Sequence, residues 1–285
     1  MSKFKKFIAG IVSAACLFSL NACGEDSAKL TPDAEDVPKQ NTAQIYNDAV
    51  EKLLAAGSYT MTGSVNSSSV MGDVVTSVVT SIDCRYAKEE NGSAVMLMNS
   101  EQHYDGSVFP HTTYFAEDKY YISALDSNYI VTTNDFGDYD AAMFIKKVED
   151  TAISNYNVQS ADDGTGYQVR FEIPFGIYAS EALDGLIGMF ADDTLLQQPV
   201  TVRALIDDAG LLTSIYVDVE NSTTFDEEQI MQSITLSLQL SEYDKTTVAA
   251  PEGLVDYEDR TQDHQNGEND GGFVDPGEIV DGSLD

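Results

Sequence analysis

The sequence predicts an α+β protein built on a single large curved antiparallel sheet. Most segments between residues 42 and 249 alternate apolar and polar side chains with period two, as strands with one buried face do. The connections between these segments are mostly too short for crossover helices, so neighbouring strands are expected to run antiparallel. Helical periodicity occurs in only three places, and these few helices must cover the apolar face of the sheet.

The folded body is predicted to open with a helix that Asn41 or Thr42 caps and Gly57 ends. One face of this helix carries four apolar residues, Ile45, Ala49, Leu53 and Leu54. Two further helices are predicted over residues 139–149 and 180–191, where apolar side chains recur at spacings of three and four. Each helix can therefore lay an apolar stripe against the sheet.

Strands are predicted from residue 59 onward. They lie near residues 59–65, 74–86, 94–104, 111–116, 119–124, 129–133, 153–160, 167–173, 200–206, 211–219 and 230–240. Asp-Gly, Glu-Asp-Lys and Asp-Asp-Ala-Gly sequences between several of these strands suit hairpin turns. Cys84 lies on the second strand and is predicted to be a small buried hydrophobic side chain.

The first 22 residues have the features of a cleaved leader. Three lysines precede an apolar run from Phe7 to Leu20, which is too short to span a bilayer of about 30 Å. The run ends in Leu20-Asn21-Ala22-Cys23, which resembles the bacterial lipobox, Leu-x-(Ala/Gly/Ser)-Cys. The resemblance implies cleavage after Ala22 and a diacylglyceryl group on Cys23, with acyl chains such as palmitate in the membrane.

An ordinary signal peptide followed by a chance cysteine is the alternative interpretation of the leader. Under the lipobox interpretation the protein is an extracytoplasmic lipoprotein, anchored to the bacterial cell membrane through Cys23. Two acyl chains are enough for stable anchoring, whereas one would be marginal.

The charge of the chain excludes one class of partner. The 285 residues include 15 basic and 48 acidic side chains, which gives a formal charge of −33. Nucleic acid would be repelled, because its phosphates require lysine and arginine. Cleavage after residue 22 removes three lysines and no acid, so the mature charge is −36. The acyl anchor alone would then hold the protein at an anionic membrane surface.

The composition divides the chain into four parts. Residues 1–22 form the lipoprotein signal peptide, and residues 23–41 form the lipidated cysteine with a polar, flexible tether. Residues 42–249 form the folded domain. Residues 250–285 are rich in acids and glycine, and they are predicted to be an acidic disordered tail.

A family resemblance is carried by four stretches of the folded domain. They are Ala49-Val50-Glu51-Lys52-Leu53-Leu54, Ser58-Tyr59-Thr60-Met61-Thr62-Gly63, Lys119-Tyr120-Tyr121-Ile122 and Ile206-Asp207-Asp208-Ala209-Gly210-Leu211-Leu212. In these stretches and in element order, most of residues 42–249 resembles the LolA/LppX-like superfamily of bacterial lipoproteins and lipoprotein carriers. The resemblance implies an open half-barrel sheet, covered on its concave face by about three helices, with acyl chains held between sheet and helices.

We therefore expect a lipid-anchored protein without enzymatic activity that binds or carries an apolar or lipid ligand between sheet and helices. The candidate ligand-lining residues are Met96, Met98, Met143, Phe144, Leu183, Leu186, Ile187 and Phe190. Whether these side chains line a cavity or fill it stays open, because protein interiors are normally close-packed. The alternative function is a non-enzymatic surface module that docks another envelope protein.

Catalytic, metal and cofactor motifs are absent from the sequence. His103 and His111, with Glu101 and Asp105 nearby, lack a metal spacing such as His-Glu-x-x-His. The sequence contains no Gly-x-Ser-x-Gly elbow, no phosphate-binding loop and no Cys-x-x-Cys pair, so neither a hydrolase nor a cofactor is expected. The strand-rich order also argues against a two-lobed solute-binding protein.

Overall fold

The computed structural model describes residues 39–125, 127–132, 145–160, 166–178, 198–225 and 228–261. The helices in these residues are α1 (Lys39–Ala55) and α2 (Phe175–Tyr178). The strands are β1 (Ser58–Met71), β2 (Val74–Lys88), β3 (Ala94–Tyr104), β4 (Ser107–Ala116), β5 (Lys119–Ala124), β6 (Ser127–Thr132), β7 (Ser154–Ser160), β8 (Tyr167–Pro174), β9 (Pro199–Ile206), β10 (Leu212–Phe225), β11 (Glu228–Ser241) and β12 (Glu258–Asp259).

All twelve strands belong to one open sheet. Their spatial order is β12-β6-β5-β4-β3-β2-β1-β11-β10-β9-β8-β7. Every neighbouring pair is antiparallel except the two-residue pair of β12 with β6. The predicted single large antiparallel sheet is thus confirmed, and the order reflects consecutive hairpins joined by the long central pair of β1 with β11.

The strands alternate between two faces, as their sequences require. On β11, Ile234, Leu236 and Leu238 are buried, while Thr235 and Ser237 between them lie on the opposite face. We call the buried side the inner face and the other side the outer face. α1 packs on the inner face over β7–β10, where Tyr46 meets Phe171 with ring centroids 5.1 Å apart.

The predicted first helix is confirmed, but it begins at Lys39, so Asn41 and Thr42 lie inside it and do not cap it, and its buried stripe differs. α1 buries Tyr46, Val50 and Leu53 completely, together with Ala43 and Ala49. Ile45 and Leu54 are only partly buried and pack at the margin of the core. The periodicity indicated the helix, but the predicted face was rotated away from Tyr46, because a tyrosine was not counted among the apolar positions.

The predicted helix over residues 139–149 is wrong for residues 145–149, which have irregular backbone. The Asn47 side chain of α1 accepts a hydrogen bond from the Val148 N–H (2.8 Å) and donates one to the Val148 C=O (2.7 Å). These backbone groups are therefore engaged by a side chain instead of a helical turn. Ile145 and Val148 are still buried, as the apolar pattern required.

A cover of about three helices is not confirmed. α1 and the four-residue α2 are the helices of the described residues, and α2 was not predicted. The predicted helix over 180–191 and residues 139–144 of the second predicted helix lie outside the described residues.

The first part of the acidic segment that begins at residue 250 is ordered against the sheet. A 3-10 helix spans Leu254–Asp256, and β12 then pairs with β6. The Arg260 N–H donates to the Ile130 carbonyl (2.9 Å), and the Thr132 N–H donates to the Thr261 hydroxyl (2.9 Å). The domain boundary placed at 249 therefore comes too early, because unpaired backbone groups of β6 bind this segment.

Cys84 is buried on β2, as predicted from its strand position. Neither helix that the structure describes has the length and apolar character that a membrane span requires.

Candidate ligand-binding face

Two rows of side chains extend the inner face away from α1, across β1–β6. The first row is Tyr59, Tyr86, Met96, Phe115, Tyr120 and Val131. The second is Met61, Cys84, Met98, Thr113, Ile122 and Tyr129. We call the part of these rows on β3–β6 the floor. The floor brings Met96 and Met98, both predicted as ligand-lining, next to aromatic side chains from the following hairpins.

The floor is well packed. Met96 and Tyr120 are 2% exposed, and Met98 is 8% exposed. The rings of Phe115 and Tyr120 lie 4.7 Å apart in a tilted arrangement, and those of Tyr59 and Tyr86 stack at 5.0 Å next to the floor. Methionine thioethers beside aromatic rings make an adaptable apolar surface.

The inner face of β1–β6 carries no acidic side chain, although the protein has 48 acids. These strands contain two acids, Asp83 and Glu101, and both occupy outer-face positions. Lys88, at the end of β2, bonds through its ammonium to the Leu54 carbonyl of α1 (3.3 Å). The inner face of β1–β6 is therefore free of acids.

A border of uncharged polar groups limits the floor on the side towards the β1–β2 turn. His111 pairs with Ser100 and Ala124 in the third row, and Gln102 and Thr80 follow in the fourth. Burial lowers the pKa of His111, because a low-dielectric surrounding disfavours the charged imidazolium. Neutral polar groups therefore interrupt the apolar inner face of β3 and β4 in the third and fourth rows.

α1 covers a different part of the inner face. It lies over β7–β10, where Tyr46 and Tyr178 are completely buried beside Phe171. Burial raises the pKa of both tyrosine hydroxyls. The main contacts of α1 are therefore with β7–β10, and the floor on β3–β6 lies beyond these strands.

Most of the predicted site residues are not described by the structure. Met143, Phe144, Leu183, Leu186, Ile187 and Phe190 lie outside the described residues, as do Leu20, Ala22 and Cys23 of the lipobox. Met96 and Met98 are the predicted lining residues that the structure places, and they lie side by side on the inner face of β3.

Sequence reasoning missed the aromatic part of the floor. Phe115, Tyr120 and Tyr129 were not among the predicted ligand-lining residues, yet the register aligns them with Met96 and Met98. The sequence pattern of the hairpins could have identified these residues. Tight turns join β3, β4, β5 and β6, so the apolar–polar alternation along each strand fixes which side chains share a face with the next strand. Tyr114 and Tyr121, by contrast, pack together on the outer face at 5.8 Å.

The histidines do not form a metal pair. His103 lies on the outer face, where its Nε2 is 3.6 Å from Glu101 Oε2, and His111 lies on the inner face. In the part of the chain that the structure describes, no three His, Cys, Asp or Glu side chains gather where they could hold a metal ion.

Comparison with known proteins finds likeness in structure alone. No family model matches the chain, and no curated protein matches it. LprF from Mycobacterium bovis is 14% identical, with a TM-score of 0.42 over 74% of this chain and 96% of LprF. A putative outer membrane lipoprotein-sorting protein domain from Vibrio parahaemolyticus is 9% identical, with a TM-score of 0.26 over 75% of this chain and 96% of the domain.

A DUF1329 family protein from Desulfovibrio piger is also similar, at 9% identity and a TM-score of 0.21, over 74% of this chain and 95% of that one. All three TM-scores lie below 0.5, so these neighbours carry no conclusion about ligand, activity or membership.

Proposed function

We propose that this protein is an extracytoplasmic lipoprotein, anchored to the membrane through Cys23, that binds or carries an apolar or lipid ligand on the floor of its sheet. One observation carries the ligand part of the proposal. An inner face rich in Met and aromatic residues and free of acids continues over β3–β6 beyond the strands that α1 covers, in a protein of charge −33.

The ligand chemistry follows from the surface. Methionine, isoleucine and aromatic side chains on the floor offer dispersion contacts and no charge, which suits acyl chains. The bordering His111, Ser100 and Gln102 offer hydrogen bonds to an uncharged or weakly polar group at the end of such a chain. The leader and lipobox support export and lipidation of the same chain.

The ligand part is tested by native mass spectrometry of the purified mature protein, and by uptake of a fluorescent fatty acid. A Met98→Trp variant, which fills the floor, is expected to lose uptake. A Leu97→Trp variant, on the outer face of the same strand, is the matched control and is expected to keep it. Protein without bound acyl chains and without uptake would contradict the carrier proposal and favour the surface module.

The anchor is tested separately by metabolic labelling with palmitate. Cys23→Ala is expected to abolish the label and release the protein from the membrane, whereas Cys16→Ala, within the leader, should leave both unchanged. Label that persists in Cys23→Ala would reject the lipobox interpretation.

A further inference from the structure

Two neighbouring hairpins form one end of the sheet. β1 and β2 turn at Gly72 and Asp73, and β10 and β11 pair as far as Phe225 with Glu228. β1 pairs with β11 from Thr60 to Met71, so the two hairpins end side by side. We call the apolar residues at this end the tip. They are Val70, Met71, Val74, Val75, Ile230 and Met231.

The tip is apolar on both faces and exposed. Val75, Val70 and Met231 form a row on the outer face, and Val74, Met71 and Ile230 form one on the inner face. Val74 is 59% exposed, Met231 48%, Val75 47% and Met71 39%. A contiguous exposed apolar surface of this kind marks a contact with a partner or a membrane.

The path of α1 places the anchored terminus on the same side as the tip. Near its C-terminal end, the Leu54 carbonyl accepts a bond from Lys88, at the end of β2 farthest from the tip. Earlier in α1, Tyr46 contacts Phe171 of β8. The row of paired residues that contains Phe171 crosses the sheet to Val65 of β1. Val65 lies six residues closer to the tip than Tyr59, which is near the opposite end of β1. Followed towards its N-terminus, α1 therefore runs in the direction of the tip, and it continues for seven residues, or about 10 Å, beyond Tyr46.

The chain between anchor and fold is short. Fifteen residues separate Cys23 from Lys39, and such a segment spans at most about 55 Å. We propose that the tip contacts the bilayer that holds the acyl chains of Cys23. This inference rests on the lipid anchoring proposed above, because the anchor keeps the tip at a high local concentration next to the membrane.

The chemistry of the tip fits a shallow contact with lipid. The two hairpins pair their own backbone groups as far as Met71 with Val74 and Phe225 with Glu228, so few polar groups would be left unpaired in an apolar medium. The sequence also places acids beyond the apolar rows, Asp73 between β1 and β2 and Asp226 and Glu227 between β10 and β11. These acids limit the depth to the headgroup region and disfavour anionic lipid.

The absence of tryptophan from the sequence allows a direct test. Val74→Trp and Met231→Trp each introduce a single fluorophore at the tip. Val255→Trp is the matched control, because Val255 is 95% exposed in the 3-10 helix near the β6 edge. Each variant, as residues 23–285, is coupled through Cys23 to maleimide lipid in phosphatidylcholine vesicles, with Cys84 buried and protected. Chemical coupling supplies the anchor whether or not the cell lipidates Cys23.

If the tip contacts the bilayer, coupling to vesicles should shift the emission of both tip fluorophores to the blue, and brominated phosphatidylcholine should quench it. Neither effect should occur for Val255→Trp. Asp73→Asn in the Val74→Trp background should increase quenching in vesicles that contain phosphatidylglycerol. Unshifted tip fluorophores would overturn the proposal, as would an equal shift of the control. A blue shift in vesicle-free solution that grows with protein concentration would overturn it in favour of a second copy of the chain.

Discussion

Gly63 allows β11 to approach β1 closely in the central part of the sheet. It lies on the inner face of β1 between Ile82 of β2 and Leu238 of β11. A Cβ at this position would overlap the Ser237 carbonyl oxygen and approach the Leu238 backbone. Because these are backbone atoms of a paired strand, no side-chain rotation relieves the overlap. Glycine is therefore required at this close approach of β11 to β1.

Gly63→Ala is expected to lower the free energy of unfolding by about 3 kcal/mol, because the paired strands must separate locally. Urea denaturation measures the change. Gly92→Ala is the control: Gly92 has a φ of +88°, but no atom lies within 4 Å of the position that a Cβ would take, so its cost should stay near about 1 kcal/mol of backbone strain. Equal costs at both sites would contradict the close-approach argument.

His111 gives the fold a dependence on pH. Burial lowers the pKa of its imidazole, so the unfolded state takes up a proton before the folded state does. The free energy of unfolding should therefore fall as the pH drops below about 6.5, by at most about 1.4 kcal/mol per pH unit. Denaturation between pH 5 and 7 measures the slope. His111→Gln should flatten it, and a slope that persists in this variant would contradict the role given to His111.

At the scale of elements, Asn47 ties α1 to the segment that follows the floor. Its amide pairs with both backbone groups of Val148, and Glu51 on the next turn forms an ion pair with Lys147 at 2.9 Å. The ion pair is exposed and contributes little, whereas the amide satisfies two partly buried backbone groups. This pairing explains why residues 145–149 are not helical.

Asn47→Ala is expected to cost about 1–3 kcal/mol of stability, since it leaves the Val148 N–H and C=O without these partners. The Val148 amide should then exchange its hydrogen faster than it does in the unsubstituted protein, whereas amides of the β1–β11 pair should exchange as before. Hydrogen exchange with NMR detection measures both. Asp48→Ala, at the exposed neighbouring position of α1, should change neither quantity. Unaltered exchange at Val148 in Asn47→Ala would contradict the proposed role of Asn47 in holding this segment against α1.

For the whole molecule, the dominant electrostatic feature is self-repulsion. The sequence has 48 acidic and only 15 basic side chains, so most carboxylates have no basic partner. The acids of the described strands are kept on the outer face and at turns, where water and salt can screen them.

The thermal midpoint is therefore expected to rise by a few degrees when sodium chloride is raised from about 10 to about 500 mM, as the Debye length falls from about 30 Å to a few ångströms. Calorimetry of the mature protein measures the shift. Because salting-out also stabilises proteins, sodium sulfate at equal ionic strength is the comparison, and most of the gain should already be present in chloride. A midpoint that stays constant in chloride would contradict the repulsion argument.

The sequence by itself determined the strands and their antiparallel order. Period-two alternation and short turns are local properties, and the eleven predicted strands overlap β1–β11 in position. Local pattern also predicted α1 and the burial of Cys84, Ile145 and Val148. The sequence could not show that residues 145–149 are irregular and not helical. Their backbone is engaged by Asn47, which lies about a hundred residues earlier in the chain.

Only the tertiary structure decided which side chains share a surface. Register across β3–β6 assembles Met96 and Met98 with Phe115, Tyr120 and Tyr129, because a shift of one residue in any hairpin would turn its side chains to the other face. Tertiary pairing also drew residues 258–261 onto the β6 edge, although their acidic composition predicted no structure. Unpaired backbone groups at an open sheet edge can pair with an extended segment that lies next to them. The composition of a segment does not show whether the fold places it there.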